Sequence, residues 1–222
     1  AKVAKKGVVS ALFYWKRGII VLRLIRSVHF GVTINNRYII FNGHGRSSND
    51  VKESTISLVA NADQLWFVPL GGTGEIGMNL NLYSHNGHWL MVDCGVTFDE
   101  PLSPDSTQRF RVVAADPSFI TAQKERLIGI VITHAHEDHI GAVAHLWRRF
   151  GAPVYTTGFT AEVLRRKLAQ VGLDGQVPVY EIKTGAYRQI GPFGVHWLGI
   201  THSVPEPHAL LIETAVGNVL HT

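Results

Sequence analysis

The sequence predicts an α/β domain built in layers, with β-sheets at its centre. A hairpin and a buried strand come first, between about residues 65 and 132, and short strands mixed with two helices follow. Strands of this kind, followed by mixed strands and helices, are typical of helices packed against central sheets. The 222 residues suffice for one such domain and an appendage.

The domain begins with a strand, a glycine-rich loop and a hairpin. Residues 65–70 are mostly apolar and read as a strand, and residues 71–77 contain four glycines. Residues 79–83 alternate with a period of two, and residues 88–93 return after Asn86-Gly87. Asn-Gly is a preferred dipeptide of two-residue hairpin turns, so these two segments are predicted to pair.

A continuous apolar strand and two helices follow the hairpin. Residues 127–132 are apolar without alternation, which is typical of a strand buried on both faces. Residues 140–150 and 159–173 have helical periodicity. In the second helix the predicted inward residues are Val163, Leu164, Leu168 and Val171, and the outward ones are Arg165, Arg166 and Lys167. Further strands are predicted at 153–156, 179–182, 187–190, 195–200, 209–213 and 218–221.

Residues 1–63 carry most of the positive charge. They hold ten Lys or Arg and three Asp or Glu, a net charge of +7, whereas residues 64–222 have a net charge of −3. A basic patch can bind nucleic acid electrostatically. Because no nucleic-acid-binding motif accompanies the charge, a solvated or disordered basic arm is the favoured interpretation. Residues 38–41 could form a short strand, and residues 42–50 have the composition of a linker. The predicted division is therefore a basic segment, 1–63, and a folded domain, 64–222.

The composition excludes some classes of protein. The single cysteine, Cys94, excludes an internal disulfide framework and a multi-cysteine zinc site. It suits a reducing compartment, which predicts a cytoplasmic location. The longest early uncharged run, residues 7–15, is far shorter than the roughly 20 residues that cross a membrane. We therefore expect no membrane partner. The oligomeric state stays open, a homo-oligomer included.

Four potential metal ligands lie within six residues, directly after the buried strand. They follow the order H-x-H-x-D-H and are His134, His136, Asp138 and His139. Such side chains are costly to bury unless they are paired or bind a metal. The turn can point the first two at one cation and the last two at another. Imidazole and carboxylate suit zinc or manganese, and two ions about 3.5–4 Å apart can clamp an in-line displacement. The spacing favours this interpretation over a polar surface loop.

A cation held by two histidines needs a third protein ligand. His202 follows Thr201 at the end of the predicted strand 195–200, just as His134 follows Thr133 after its own strand. This repeated context predicts that His202 completes the first metal site.

These motifs resemble the metallo-β-lactamase superfamily. The metal motif after a buried strand, and the Asp-x-Gly at 93–95, are similar to the superfamily as a whole. Residues 71–79, 133–141, 201–208 and 217–222 are similar to its ribonuclease J-like branch, one of the β-CASP proteins. The resemblance covers about residues 65–222 and corresponds to the N-terminal part of the catalytic domain.

The resemblance implies an αββα sandwich, present here in part, and two divalent cations, zinc or in some members manganese. The implied ligands form two sets, His134, His136 and His202 for one cation, and Asp138 and His139 for the other. Asp93 is implied to orient the site without binding a cation. Asp138, His139 and Asp93 are therefore the expected catalytic residues. The implied substrate is RNA, cleaved at phosphodiester bonds by a 5′-exonuclease and endonuclease.

The end of the chain departs from this family pattern. Members continue after His-Thr with Gly-Asp, whose aspartate bridges both cations, and carry a β-CASP domain that grips RNA. This sequence lacks an initiator methionine and stops at Thr222, so we expect a fragment with ligands for one cation and half a site for the second. We expect such a fragment to be weak or inactive alone. Two alternatives stay open: hydrolysis of a thioester, lactone or β-lactam, and a non-catalytic, truncated metal-binding module.

Several other signals receive structural interpretations. Residues 72–77 match G-x-G-x-x-G, but a nucleotide site requires a helix after the glycines, and here a strand is predicted. The glycines are better explained by a backbone that runs close beside residues 133–139, here called the metal loop. Cys94 is interpreted as a small buried residue, and Glu137 as a solvated residue. His208 and His221 are interpreted as hydrogen-bonded structural histidines, and His208 could also contact substrate.

Overall fold

A computed structural model describes residues 59–99 and 111–222, together with the backbone of three short strands before them. The strands are β1 Leu22–Arg23, β2 Phe30–Ile34, β3 Arg37–Phe41, β4 Leu65–Gly71, β5 Leu80–His85, β6 His88–Val92, β7 Val96–Asp99, β8 Arg111–Ala114, β9 Leu127–Val131, β10 Val154–Thr156, β11 Val179–Glu181, β12 Tyr187–Ile190, β13 Phe193–Gly199, β14 His208–Thr214 and β15 Gly217–His221. The helices are α1 Ser118–Thr121, α2 Glu137–Ile140, α3 Val143–Phe150 and α4 Gly158–Gln170, and a 3-10 turn at Lys124–Arg126 precedes β9.

A seven-stranded sheet contains the predicted hairpin. Its strand order is β1-β4-β5-β6-β9-β10-β11. β5 and β6 pair antiparallel, with Leu82 opposite Met91. The connecting Asn86 and Gly87 have φ of 45° and 78°, and positive φ at both positions is the geometry of a type I′ turn. The prediction of a hairpin closed by Asn-Gly is confirmed.

β9 lies inside this sheet, parallel to β6 on one side and to β10 on the other. Its Ile130 and Val131 are both fully buried, the first in a cluster with the helices and the second in a cluster with the other sheet. The continuous apolar run is therefore explained by burial on both faces, as predicted. Because β6, β9, β10 and β11 are parallel, their carboxyl ends lie along one edge, where ligands bind in sheets of this kind.

The second sheet is an antiparallel meander of β12, β13, β14 and β15. It packs face to face on the first sheet, and the interface is apolar because alternate residues of each strand point inward. Leu90 and Val92 of β6 meet Trp197 of β13 and Leu210 of β14 in one buried cluster. This cluster fixes the position of β13, and hence of the loop that follows it, relative to β6.

Helices cover the opposite face of the first sheet. Leu164 and Leu168 of α4 and Val143 and Phe150 of α3 are buried in one cluster with the outward face of the sheet. The described residues thus form three layers, helices, a mixed sheet and an antiparallel sheet. This confirms the predicted α/β class and the helix–sheet–sheet part of the αββα sandwich. Within the described residues, no helix is long and apolar enough to cross a membrane.

The helix predicted at 140–150 is confirmed as α3 over Val143–Phe150, but its predicted start is wrong, because residues 141 and 142 separate α3 from α2. α2 begins at Glu137, and the helix is interrupted at Gly141 and Ala142 before α3. The backbone N–H of Ala142 donates to the carbonyl of Cys94 at 3.0 Å. A Cβ on Gly141 would lie 2.7 Å from the side chain of Val96. Close contact with the segment after β6 therefore interrupts the helix.

The predicted helix at 159–173 is shorter than expected, and two of its residues were assigned to the wrong face. α4 ends at Gln170, and Gly172 has φ of 70°, the left-handed conformation that commonly follows a helix end. Val171, predicted to face inward, is exposed. Lys167, predicted to face outward, is half-buried and forms an ion pair with Glu137 of α2.

Some predictions concern short or partly described elements. β7, β8 and α1 were not predicted, since each spans four residues and Phe98 and Val112 of the strands are exposed. The strand predicted at 38–41 lies within β3, and β1 pairs antiparallel with β4. The other predictions for residues 1–58, including the linker-like 42–50, lie outside the described residues.

Candidate metal centre

The predicted metal ligands lie where strands from both sheets end. Asp93 directly follows β6, and His134 lies three residues after the end of β9. His202 lies three residues after the end of β13, in the second sheet. The loop after β13 is held beside the first sheet, because the backbone N–H of His208, where the loop ends and β14 begins, donates to the carbonyl of Thr133 at 3.2 Å. Two strand ends that are distant in sequence therefore meet at one place.

Three imidazole nitrogens converge at this place. Nδ1 of His136 lies 3.1 Å from Nε2 of His134 and 3.1 Å from Nε2 of His202. The candidate ligand atoms of the three residues all lie within 4.8 Å of one another. A tetrahedral zinc ion with Zn–N distances of about 2.0–2.1 Å places its ligand nitrogens about 3.4 Å apart. The spacing therefore fits a single cation of this size.

Two hydroxyl groups orient the rings of this three-imidazole cluster. Oγ1 of Thr133 lies 2.9 Å from Nδ1 of His134, and Oγ of Ser203 lies 3.3 Å from Nε2 of His136. Each contact engages the ring nitrogen that is turned away from the cluster, which is how metal-binding imidazoles are usually held. Burial, and then the neighbouring His139, lower the pKa of His134 to about 4, so its ring is neutral at physiological pH.

Asp138 and His139 form a second group beside the cluster. Nε2 of His139 lies 3.3 Å from Oδ2 of Asp138. The ring centroids of His139 and His134 are 4.0 Å apart. Both residues of the pair lie on α2, the helix that begins directly after His136. The structure thus places one imidazole and one carboxylate next to the three-imidazole cluster, and their role as ligands stays a prediction.

Asp93 lies fully buried against this pair. Its Oδ2 accepts a hydrogen bond from Nδ1 of His139 at 2.7 Å, and its Oδ1 accepts one from the backbone N–H of Thr133 at 2.8 Å. Burial alone would raise the pKa of Asp93, but the hydrogen bond and the charge of His139 hold it below its ordinary value. For His139, burial alone would lower the pKa, and Asp93 raises it. Asp93 therefore keeps the proton on Nδ1 of His139 and leaves Nε2 facing Asp138.

Asn79 contacts the same pair, although no sequence pattern singled it out as a site residue. Its Nδ2 lies 3.0 Å from the carbonyl oxygen of Asp138, 3.4 Å from Oδ2 of Asp138 and 3.3 Å from Nε2 of His139. The one sequence signal for it is its place at the end of the glycine-rich residues 71–79. That pattern predicts a close backbone approach but no particular side chain.

Two glycines permit this close approach. A Cβ on Gly72, whose φ is 83°, would lie 2.1 Å from Oδ1 of Asn79. A Cβ on Gly95 would lie 1.7 Å from the carbonyl oxygen of Asp138. Gly95 lies outside the glycine-rich residues 71–77, whose Gly71, Gly72 and Gly77 pack on Met78, Asn79 and Thr97, so the interpretation of that loop as a close neighbour of the metal loop stays a prediction. The strand β5 follows it, which removes the nucleotide-binding alternative.

The loop that carries His202 is tied to α4. Glu206 has φ of 52°, a strained conformation for this residue type. Its Oε2 accepts a hydrogen bond from the backbone N–H of Phe159 at 2.9 Å, in the first turn of α4. A carboxylate there satisfies a donor that the helix itself cannot. Glu206 was not predicted as a site residue, since its partner lies 47 residues away.

The remaining interpretations concern single residues. Cys94 is fully buried, as predicted, and Glu137 is exposed, as predicted, with its carboxylate also paired with Lys167. His208 is 2% exposed, with Nε2 2.9 Å from Oγ1 of Thr184, which agrees with its structural interpretation, and its reach to substrate stays a prediction. Nδ1 of His221 lies 2.9 Å from the hydroxyl of Tyr83, which agrees with its structural interpretation.

The sequence matches known proteins of one family. The family model described as the metallo-beta-lactamase superfamily matches residues 77–222. A Ribonuclease J of Sinorhizobium meliloti is 46% identical over 168 residues, covering 74% of this chain and 29% of that protein. A Ribonuclease J of Helicobacter pylori is 29% identical over 220 residues, covering 98% of this chain and 30% of that protein. The chain therefore spans less than a third of the length of these relatives.

A solved structure agrees with the sequence match. The metallo-beta-lactamase fold protein YhfI from Bacillus subtilis superposes with a TM-score of 0.52 at 18% sequence identity, covering 70% of this chain and 61% of that one. A likeness at this identity concerns the fold alone. The family match extends over more than half of the chain and includes both strand ends that meet at the three-imidazole cluster. The chain belongs to the metallo-beta-lactamase superfamily.

Proposed function

We propose that this chain is part of a metal-dependent hydrolase that cleaves RNA phosphodiester bonds, as a ribonuclease J-like exonuclease and endonuclease. The observation that carries the proposal is the convergence of the imidazoles of His134, His136 and His202 from two strand ends. RNA as the substrate class is supported by the similarity to proteins named Ribonuclease J, which spans most of this chain.

The side chains at the site fit a divalent cation. Three imidazole nitrogens lie within 4.8 Å of one another, and imidazole with carboxylate is a donor set that suits zinc, with manganese as the alternative. In this proposal His134, His136 and His202 hold one cation. Asp138 and His139 contribute to the second.

When bound, such cations lower the pKa of water toward about 7 and offset negative charge on the phosphoryl oxygens. The protein's own residues hold the ligands in place. Asp93 holds a proton on Nδ1 of His139, so in the neutral ring the free lone pair is on Nε2, 3.3 Å from Oδ2 of Asp138. Thr133 and Ser203 hold the rings of His134 and His136. With the ligands fixed in advance, little rearrangement is needed for binding.

The net charge differs in sign between the two parts of the chain. We propose that residues 64–222 carry the hydrolase site and that residues 1–63 are a basic N-terminal segment, whose β1 adds an edge strand beside β4. Residues 64–222 have a net charge of −3 and residues 1–63 one of +7. Because residues 64–222 are net negative, electrostatic attraction of RNA within this domain would rest on the cations. The free thiol of Cys94 suits a reducing compartment, so we propose a cytoplasmic location.

The test compares three substrates with the same protein. The purified chain is incubated with 5′-monophosphorylated RNA, a thioester and a lactone, each with added zinc or manganese. We expect slow, metal-dependent cleavage of the RNA, because the chain spans only part of its relatives' length. Cleavage should be lost in the double variant His134→Ala, His136→Ala. It should persist in His88→Ala, which removes an exposed histidine at the hairpin turn.

The other outcomes would reassign the function. Hydrolysis of the thioester or the lactone alone would make the chain a metallo-hydrolase of a different substrate class. Metal binding without any turnover would make it a non-catalytic metal-binding module. Equal RNA cleavage by the double variant and the wild type would contradict the proposed site.

A further inference from the structure

We propose that Asn79 is a positioning residue for the second half of the metal site, holding Asp138 and His139 ready for a cation independently of the three-imidazole cluster. The inference rests on the proposed function and names what controls one half of that site. Asn79 is partly buried at the start of the hairpin, between the glycine-rich loop and β5.

The hydrogen-bond partners of Asn79 fix the orientation of its amide. In the neutral ring of His139, whose proton lies on Nδ1 facing Asp93, Nε2 is an acceptor. The other two neighbours of Nδ2, the carbonyl and the carboxylate of Asp138, are also acceptors. All three therefore require the amide nitrogen, with its two N–H groups, at this position. The amide thus points at the two atoms, Oδ2 of Asp138 and Nε2 of His139, that would bind a cation.

Asn79 is itself held firmly. Its backbone N–H donates to the carbonyl of Asp138 at 2.9 Å, and its own carbonyl accepts from the N–H of Gly95 at 2.9 Å. The backbone of Gly72 packs so closely on Oδ1 of Asn79 that no side chain would fit between them. Met78, next to it, has φ of 39°, an uncommon conformation of the kind found where a site is held in a fixed geometry. The amide is therefore fixed before a cation arrives.

Different side chains form hydrogen bonds to the candidate ligands in the two halves of the site. Within the described residues, the side-chain hydrogen bonds of Asn79 go to Asp138 and His139 and not to the three-imidazole cluster. Ser203 contacts His136 of the cluster instead. Loss of Asn79 should therefore weaken the second half alone, and loss of Ser203 should weaken the first half alone.

Cobalt(II) titration of the whole chain tests this separation. In Asn79→Ala we expect the first equivalent to bind as in the wild type and the second to bind about 10–100-fold more weakly, the usual effect of losing a residue that orients a ligand. In Ser203→Ala we expect the first equivalent to weaken by a similar factor. Normal binding of the first equivalent by Asn79→Ala also shows that this variant is folded.

A second measurement, on the metal-free protein, tests the role of Asn79 without relying on metal binding. In ¹⁵N spectra of the histidine rings, Asn79→Ala should move the Nε2 resonance of His139, because the amide donor is gone, and leave that of His202 in place. An unchanged His139 resonance, or second-equivalent binding equal to wild type, would overturn the inference. If the wild type binds no cobalt, the proposed function fails, and the ring spectra alone decide the role of Asn79.

Discussion

The carboxylate of Asp93 and the imidazole of His139 are joined by a 2.7 Å hydrogen bond at the end of β6. Asp93 is fully buried, and its second oxygen is engaged by the backbone N–H of Thr133. A buried carboxylate is costly unless it is paired, and here the pairing sets the direction in which His139 presents its other nitrogen. The hydrogen bond therefore links the sheet to the metal loop.

Replacing Asp93 tests this link. Asp93→Asn keeps the shape of the side chain but removes the charge that favours the proton on Nδ1 of His139. We expect zinc affinity, measured by competition with a chelator, to fall about 10–100-fold. The matched control is Asp116→Asn, which makes the same change at an exposed carboxylate before α1. Equal zinc affinities in the two variants would show that the carboxylate of Asp93 has no orienting role.

Adding a methyl group at Gly95 tests the packing of the metal loop. A Cβ there would lie 1.7 Å from the backbone carbonyl of Asp138, so the loop must move. We expect Gly95→Ala to weaken zinc binding and to lower the melting temperature. In Gly158→Ala, the nearest side-chain atom lies 3.7 Å from the new Cβ, and alanine favours the helix that begins there. Gly158→Ala should therefore match or exceed the wild-type melting temperature, and a similar loss in both variants would count against the loop contact.

The thiol of Cys94 should be unreactive in the folded protein. Burial, and then the nearby Asp93, raise its pKa from 9.0 to about 12. The unfolded chain ionises the thiol at lower pH than the folded one, so this group's contribution to stability is lost as the pH rises from about 9 to about 12. At a pH of about 8 we expect Ellman's reagent to react only after unfolding in urea. Rapid, stoichiometric reaction of the native protein would contradict the burial of this side chain.

The predictable parts of the structure depend on local patterns. The Asn86-Gly87 turn, the unbroken apolar run of β9 and the H-x-H-x-D-H spacing are each contained in a few neighbouring residues. They sufficed to predict the hairpin, the buried strand and the group of candidate ligands after it. His202 was predictable because its strand and loop repeat the context of His134.

The parts that were missed or wrong depend on contacts between distant residues. Asn79 reaches Asp138 across 59 positions, and Lys167 reaches Glu137 across 30. The interruption between α2 and α3 arises because the segment after β6 passes next to Gly141 and Ala142. No local periodicity contains these contacts, so the helix at 140–150 was predicted to begin three residues too early and Lys167 was predicted to face solvent.

Cation binding by the three-imidazole cluster is tested most directly by measuring the zinc content and zinc affinity of the purified chain. We expect the wild type and the exposed-histidine variant His88→Ala to hold at least one equivalent of zinc. We expect His202→Ala to bind zinc about 10–100-fold more weakly or worse. Loss of a residue that orients a ligand weakens metal binding by this factor, and loss of the ligand itself should weaken it at least as much. A wild-type chain without zinc affinity, or a His202→Ala variant that binds zinc as tightly as the wild type, would contradict the assignment of this cluster as a metal site.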